Sequence, residues 1–393
     1  MAKKETKAPG AETTEQEEKK RGGFFRRLGF LLLVLVVVLC VAVYAAMEDG
    51  SYFASLRRYL AYGDSSQTQN LYSYGADPAN LYGVLGEDLL VVSPNAIRLV
   101  KNNGTNAYDI SAALSAPKLS VGGSQAVVCD VGGTALYVLD STGVVRTLTA
   151  DYGLCYYNAR LNSRDELAVT EQKNGYKASV SVYNSKGELL FHFDSHDNYI
   201  SDAAVTEDGK YLLAVALAPE QGAFASSLLV YDLTSAERIS ACSIRDGLVL
   251  DLALTGNKVV TLCDKRLTIS DLEGQLLLDQ SFGNLYLHDA ALTGGDFCAL
   301  LLGRYQSGNV GQLTTYDMHG QVIASVEIDR EVLDMSAAGD YLAVLYSESL
   351  VLYDRELNVI AQLDDTDYAG HVRAAEDGTA LVISGTAAWR FIP

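Results

Sequence analysis

Four aspartates, Asp202, Asp251, Asp289 and Asp334, stand at the same place in four successive copies of a repeated segment, five residues before the turn in each copy. Asn158 precedes them in this column and His371 follows them; Leu81 and Lys118 fill the other two copies. Three residues upstream, Tyr199, Tyr286 and Tyr368 also align. Carboxylates held close raise one another's pKa unless a cation or a basic ligand group lies between them. Two of them in unlike surroundings would suit the acid and base of a lyase or hydrolase. Tyrosine beside aspartate also suits a peptide or glycan surface, where the ring supplies area and the carboxylate fixes orientation. The architectural alternative is that each aspartate accepts hydrogen bonds from neighbouring loop N–H groups, repeated because the segment is repeated.

Other chemistry is sparse. The chain has no GxSxG, HExxH, GxxxxGK or GxGxxG motif and no DxDxDG calcium loop. His192, His196, His288 and His319 are scattered, and their spacing predicts surface or packing roles rather than metal ligands. Cys129, Cys155, Cys242, Cys263 and Cys298 are odd in number, widely spaced and mostly set among valines and leucines, which predicts buried free thiols. No metal and no catalytic residue is assigned.

The elements that must position the column repeat with it. "AVTEDGKYLLAVAL" (204–217) is matched by "GVLGEDLLVVSP" from Gly83, "SVGGSQAVVCD" from Ser120 and "RLNSRDELAVTEQ" from Arg160. Further copies are "ALTGNKVVTLCD" from Ala253, "ALTGGDFCALLLG" from Ala291, "SAAGDYLAVLYS" from Ser336 and "RAAEDGTALVISG" from Arg373, eight in all. After most copies a third strand ends in Asp or Asn, as in "LLVYD" to Asp232 and "LVLYD" to Asp354, and a short turn leads to a fourth strand. Four strands in roughly 36–49 residues is the period of a propeller blade. One four-stranded sheet cannot cover both its apolar faces, so blades must pack on one another around a ring. The sequence therefore predicts an all-β fold, a β-propeller of eight four-stranded blades, with seven as runner-up.

The last unit has three strands and ends at Pro393, so its outer strand is expected from within Gln67 to Gly75. In such a ring both aligned columns fall at the start of the innermost strands, near the mouth of the central channel. The long second-to-third-strand loops, at 173–178, 218–226 and 304–311, fall on the same face, and long loops on a rigid scaffold are where binding usually lives.

The "EDGKYLLAV…LLVYDL" pattern resembles the WD40 and quinoprotein-like propeller superfamilies over nearly all of residues 68–393. The overall layout resembles uncharacterised bacterial proteins with one N-terminal membrane span and an exported propeller. The lone Trp389 is not followed by Asp, and the tryptophan docking motifs of cofactor-binding quinoproteins are missing, so no cofactor is expected.

Residues 28–47 carry no charge for twenty positions, which at about 1.5 Å per helical residue spans roughly 30 Å of hydrocarbon. Lys19, Lys20, Arg21, Arg26 and Arg27 precede this run, and Glu48 and Asp49 follow it. Basic residues stay on the cytoplasmic side, so residues 1–27 are expected to be a disordered cytoplasmic tail and 28–47 an uncleaved transmembrane helix. Residues 48–67 then form a juxtamembrane connector to an extracytoplasmic propeller over 68–393.

The chain holds 30 Lys and Arg against 49 Asp and Glu; the first 27 residues take 8 and 5 of these, leaving the remainder a net of −22. That excludes nucleic acid as a partner. A membrane-anchored binding or scaffolding module at the cell envelope, engaging a protein, peptide or cell-wall component, is the function expected. The alternatives are a propeller enzyme using carboxylates at the channel mouth and an envelope sensor, although the short tail has no domain to signal with.

Overall fold

A computed structural model describes residues 34–38, 69–220, 223–244 and 247–393. The chain divides into two compact units, Met1–Ala61 and Tyr62–Pro393. In the first, residues 34–38 are helical and exposed. The remainder of the expected membrane span, the tail over 1–27 and the connector over 48–67 lie outside the described residues. Among the described residues no helix is long and apolar enough to cross a membrane.

Among the described residues of the second unit, thirty-two strands, numbered in chain order, form eight four-stranded antiparallel sheets. The innermost strands of blades 1 to 8 are β2 (Leu81–Leu85), β6 (Pro117–Val121), β10 (Tyr156–Leu161), β14 (Tyr199–Val205), β18 (Val249–Thr255), β22 (Tyr286–Ala291), β26 (Val332–Ala338) and β30 (His371–Ala374). Each of the first seven blades takes four consecutive strands. The eighth takes β30, β31 (Ala380–Ile383) and β32 (Ala387–Phe391) from the C-terminal end, and β1 (Gln69–Ser73) from the other. Tyr72 lies opposite Ala388 and Ser73 opposite Ala387, so the expected outer strand closes the ring. Beyond it the Tyr74 hydroxyl donates to the carbonyls of Ser384 and Ala387 at 2.7 and 2.8 Å.

The burial pattern follows strand position. Second strands such as β7 (Ala126–Asp130) and β27 (Tyr341–Tyr346) are buried at every residue, because a neighbouring blade covers each face. Outer strands such as β29 (Val359–Asp364) alternate exposed and half-buried residues, because blades splay apart towards the rim. Separate apolar clusters bridge successive blades. Val180 and Val182 of blade 3 meet Ile200 and Leu212 of blade 4, and Leu301 and Leu313 of blade 6 meet Leu342 and Val344 of blade 7. Each Leu or Val fully buried in this way contributes about 1.5–3 kcal/mol. In "EDG" the turn needs Gly209, whose φ of +73° is open to glycine and costly for other residues.

One expected loop is strand. β15 (Tyr211–Glu220) and β16 (Ala223–Asp232) pair as far as Glu220 and Ala223, three pairs past Leu217, where β14 stops. Pro219 is tolerated there because beyond Leu217 its strand has one neighbour, and the missing N–H faces the free edge. Blade 4 therefore projects a two-stranded hairpin from the ring.

Candidate functional site

In blades 3 to 7 the register of the innermost strand against the second slips by one residue, just before Asn158, Asp202, Asp251, Asp289 and Asp334. The three blades carrying Leu81, Lys118 or His371 in this column pair without a slip. A bulge leaves a backbone group unmatched, and the side chain at the column supplies the partner. The Oδ1 atoms of Asn158, Asp202, Asp251 and Asp289 accept from the N–H of the next residue at 2.8–2.9 Å. In these five blades the column thus marks the bulge of the innermost strand.

The same side chains link blades around the channel. Asn158 donates to Asp202 from the neighbouring blade. Arg160 lies between blades 3, 4 and 5: its Nε reaches both Asp202 oxygens at 2.9 and 2.8 Å, and its Nη2 reaches Asp251 at 2.5 Å. Its Nη1 donates to the Leu252 carbonyl at 3.1 Å. Burial works against the guanidinium's charge, but the two carboxylates outweigh it and hold the group protonated. Asp334 accepts from the Val372 N–H and from Arg373, both at 2.9 Å, and lies 3.5 Å from His371 Nδ1. Arg160 and Arg373 stand two residues after the column in blades 3 and 8, on the same side of their strands. That spacing is legible in the sequence, although neither arginine belongs to the aligned column itself.

Asp289 differs, because no salt bridge is made to it among the described residues. Burial pushes its carboxyl up to about 6, with Asp334 adding to the rise, against the Ala290 and Met335 N–H groups and Arg373. A carboxyl with a folded-state pKa above its unfolded value of about 3.9 binds its proton more tightly in the native chain, so its contribution to stability falls as pH rises from about 4 to 6. Asp289→Asn is therefore expected to raise the denaturant midpoint at pH 7 and to change it little at pH 4. Equal shifts at both pH values would refute this.

Tyr199 and Tyr286 open their strands at the ring surface and are about half exposed, while Tyr368, in the loop before β30, is 98% exposed. Lys177 approaches the Tyr199 ring to 5.4 Å. The structure thus separates the two columns: the tyrosines are exposed on the loop face, whereas Asn158, Asp202 and Asp334 bond to side chains or backbone of a neighbouring blade. Of that set Asn158 and Asp202 are buried, Asp289 and Asp334 half-buried, and Asp251 and His371 exposed.

Three further cavities surround the long loop between β23 (Phe297–Gly303) and β24 (Gly311–Asp317) on the same face. They measure about 250, 550 and 180 Å³. Two of them share Asn309, Arg330 and Glu331, forming one trough over blades 6 and 7. His288 Nε2 lies 2.8 Å from the Tyr305 carbonyl and ties the loop down. A separate cavity of about 430 Å³ lies at the other end of the channel, reached by Arg160 and bordered by Glu207 and Glu376.

Elsewhere, Ser181 Oγ is 3.0 Å from His192 Nδ1, and His192 Nε2 is 3.2 Å from Asp194. Ser181 is buried, out of a substrate's reach, and the contact satisfies its hydroxyl. The five cysteines outside the apolar N-terminal run are free, four of them buried. Burial pushes the thiols of Cys129, Cys263 and Cys298 up to about 12, which leaves them unreactive. Among the described residues no group of His, Cys, Asp or Glu is arranged to hold a metal ion.

A family model described as "Family of unknown function (DUF5711)" matches residues 57–383. The chain belongs to this family. DUF5711 carries no activity in its description, and a search of curated proteins found none that matches the sequence. Solved structures with a fold similar to that of this DUF5711 chain include WD40 and BamB-type propellers. The computationally designed protein Ika8 is 13% identical with a TM-score of 0.60, covering 82% of this chain and 100% of its own. The C-terminal WD40 domain of Sif2 is 13% identical at 0.58, covering 84% and 100%. BamB from Moraxella catarrhalis is 12% identical at 0.52, covering 83% and 100%. At such identities the likeness shows the fold alone.

Proposed function

We propose that this chain is a single-pass envelope protein whose extracytoplasmic propeller binds a protein, peptide or cell-wall component through its loop face. One observation carries the choice of face. Tyr152, Leu248, Leu285, Tyr305, Val310 and Tyr368 stand exposed in its loops, and Tyr199, Leu250, Tyr286 and Leu333 in the first two residues of its strands. At the opposite end the turns expose no large apolar side chain among the described residues; the other exposed ones in the propeller lie along outer strands. Apolar groups clustered at one end of a rigid scaffold mark an interaction surface. Asp367 and Tyr368 hold φ of +45° and +59°, a strained backbone of the kind retained where a side chain must be presented. Anchoring is supported by the uncharged run over 28–47 and its basic N-terminal flank.

Two measurements test this. A photo-crosslinking amino acid at Tyr305 or Tyr368 is expected to capture a partner in cells, and one at Glu207 or Glu376 none. Protease added outside wall-stripped cells is expected to degrade the propeller. Equal capture from both ends, or a protected propeller, would reject the proposal.

A further inference from the structure

We propose that the trough over blades 6 and 7 docks an extended basic segment of a partner protein, with Arg or Lys flanked by apolar residues. The proposal rests on the loop face being the binding face, and deepens it by naming the partner's chemistry.

Charge comes first. Asp329, Glu331, Glu348 and Asp364 border the larger cavity, and all four are exposed. Among the described residues no ion pair engages any of them. Arg330 is the one cation on that lining, leaving a formal charge of −3 in a concave wall. Four carboxylates bordering one cavity give it a negative potential that attracts a cationic ligand group.

The trough already holds a guanidinium. The Arg330 Cζ lies 3.8 Å from the centre of the Tyr346 ring, and its Nη1 is 3.3 Å from Ser349 Oγ. Tyr346 and Ser349 are buried, so this platform is part of the rigid blade. Since Arg330 covers the Tyr346 ring, a partner's cation would meet the exposed carboxylates of the same wall.

The flanks are apolar and exposed. Tyr305 is 70% exposed, with Val310 on the same loop, and Tyr286 and Leu333 open the two innermost strands beside it. Apolar anchors next to uncompensated carboxylates match a basic peptide with aromatic or aliphatic neighbours. They disfavour phosphorylated or nucleic-acid ligands. Metal capture has no support, because no metal-ligating group occurs among the described residues.

The test uses the full-length protein in nanodiscs. A fluorescein-labelled nonapeptide alternating Arg and Phe is titrated by polarisation, with the same peptide carrying Glu for Arg as control. The basic peptide is expected to bind at least about tenfold more tightly, and more weakly as salt rises. The double variant Glu331→Gln/Glu348→Gln is expected to cost about tenfold in affinity, and Glu207→Gln/Glu376→Gln, which removes equal charge at the other end, to cost nothing. Tyr305→Ala is expected to weaken binding several-fold at unchanged melting temperature, since its ring is exposed. Equal binding of the two peptides, or equal losses in the two double variants, would overturn the proposal. A crosslinked adduct at Tyr368 that survives Glu331→Gln/Glu348→Gln would also overturn it while leaving the loop-face reading intact; absence of any loop-face adduct would remove both.

Discussion

Alanine at Tyr72 is expected to lower the stability of the propeller by about 3–5 kcal/mol, as truncation of a large buried aromatic does. Tyr72 is fully buried on the strand that completes blade 8, among Tyr82, Leu89 and Val91 of blade 1 and Leu381 and Ile383 of blade 8. Its hydroxyl donates to the Glu87 carbonyl at 2.7 Å. The side chain therefore joins the first blade to the last, and its loss opens a cavity at the seam between blades 8 and 1. Tyr72→Phe keeps the ring and loses one hydrogen bond, for an expected cost of about 0.5–1.5 kcal/mol. Tyr152→Ala, at a fully exposed position, should stay within about 0.5 kcal/mol of wild type. Denaturant unfolding orders the three. If Tyr72→Ala cost no more than Tyr152→Ala, the closing strand would not be what holds the ring.

Arg160→Leu is expected to cost a similar amount, about 3–5 kcal/mol, for a different reason. Asp202 is buried, and the arginine is the cation that compensates it while also reaching Asp251. Without the guanidinium, two carboxylates face each other across adjoining blades, and the Leu252 carbonyl loses its donor. The signature is non-additivity. Asp202→Asn alone should destabilise, but in the Arg160→Leu background it should recover part of the loss, because it removes the orphaned charge. Additive losses would show that the three side chains are energetically independent.

Much of this architecture is legible in the linear sequence. A four-strand period with eight copies leaves few ways to bury both faces of each sheet, and a last unit lacking one strand points to the other end of the domain. The segment 69–73 answers that expectation in backbone pairing. The thiols among valines and leucines are likewise free and mostly buried.

The aspartate column was visible as a column but not as a set of bulges. A one-residue slip depends on which strand lies opposite, and nothing within the innermost strand reports its partner's register. The projecting hairpin of blade 4 is hidden for a related reason: Pro219 reads as a break until the structure shows that beyond Leu217 its strand has no neighbour on the β14 side.

By itself the sequence determined the repeating unit, the closure of the ring and the polar character of the channel column, because each follows from local periodicity and composition. Only the tertiary structure decided which side chains meet. Arg160 reaches Asp251 across 91 positions of chain, and the trough over blades 6 and 7 draws Asn309, Glu331, Glu348 and Asp364 from four separate connections and strands. Such meetings depend on how neighbouring blades splay and stack around the axis, a geometry set by packing between sheets that no single blade's sequence encodes.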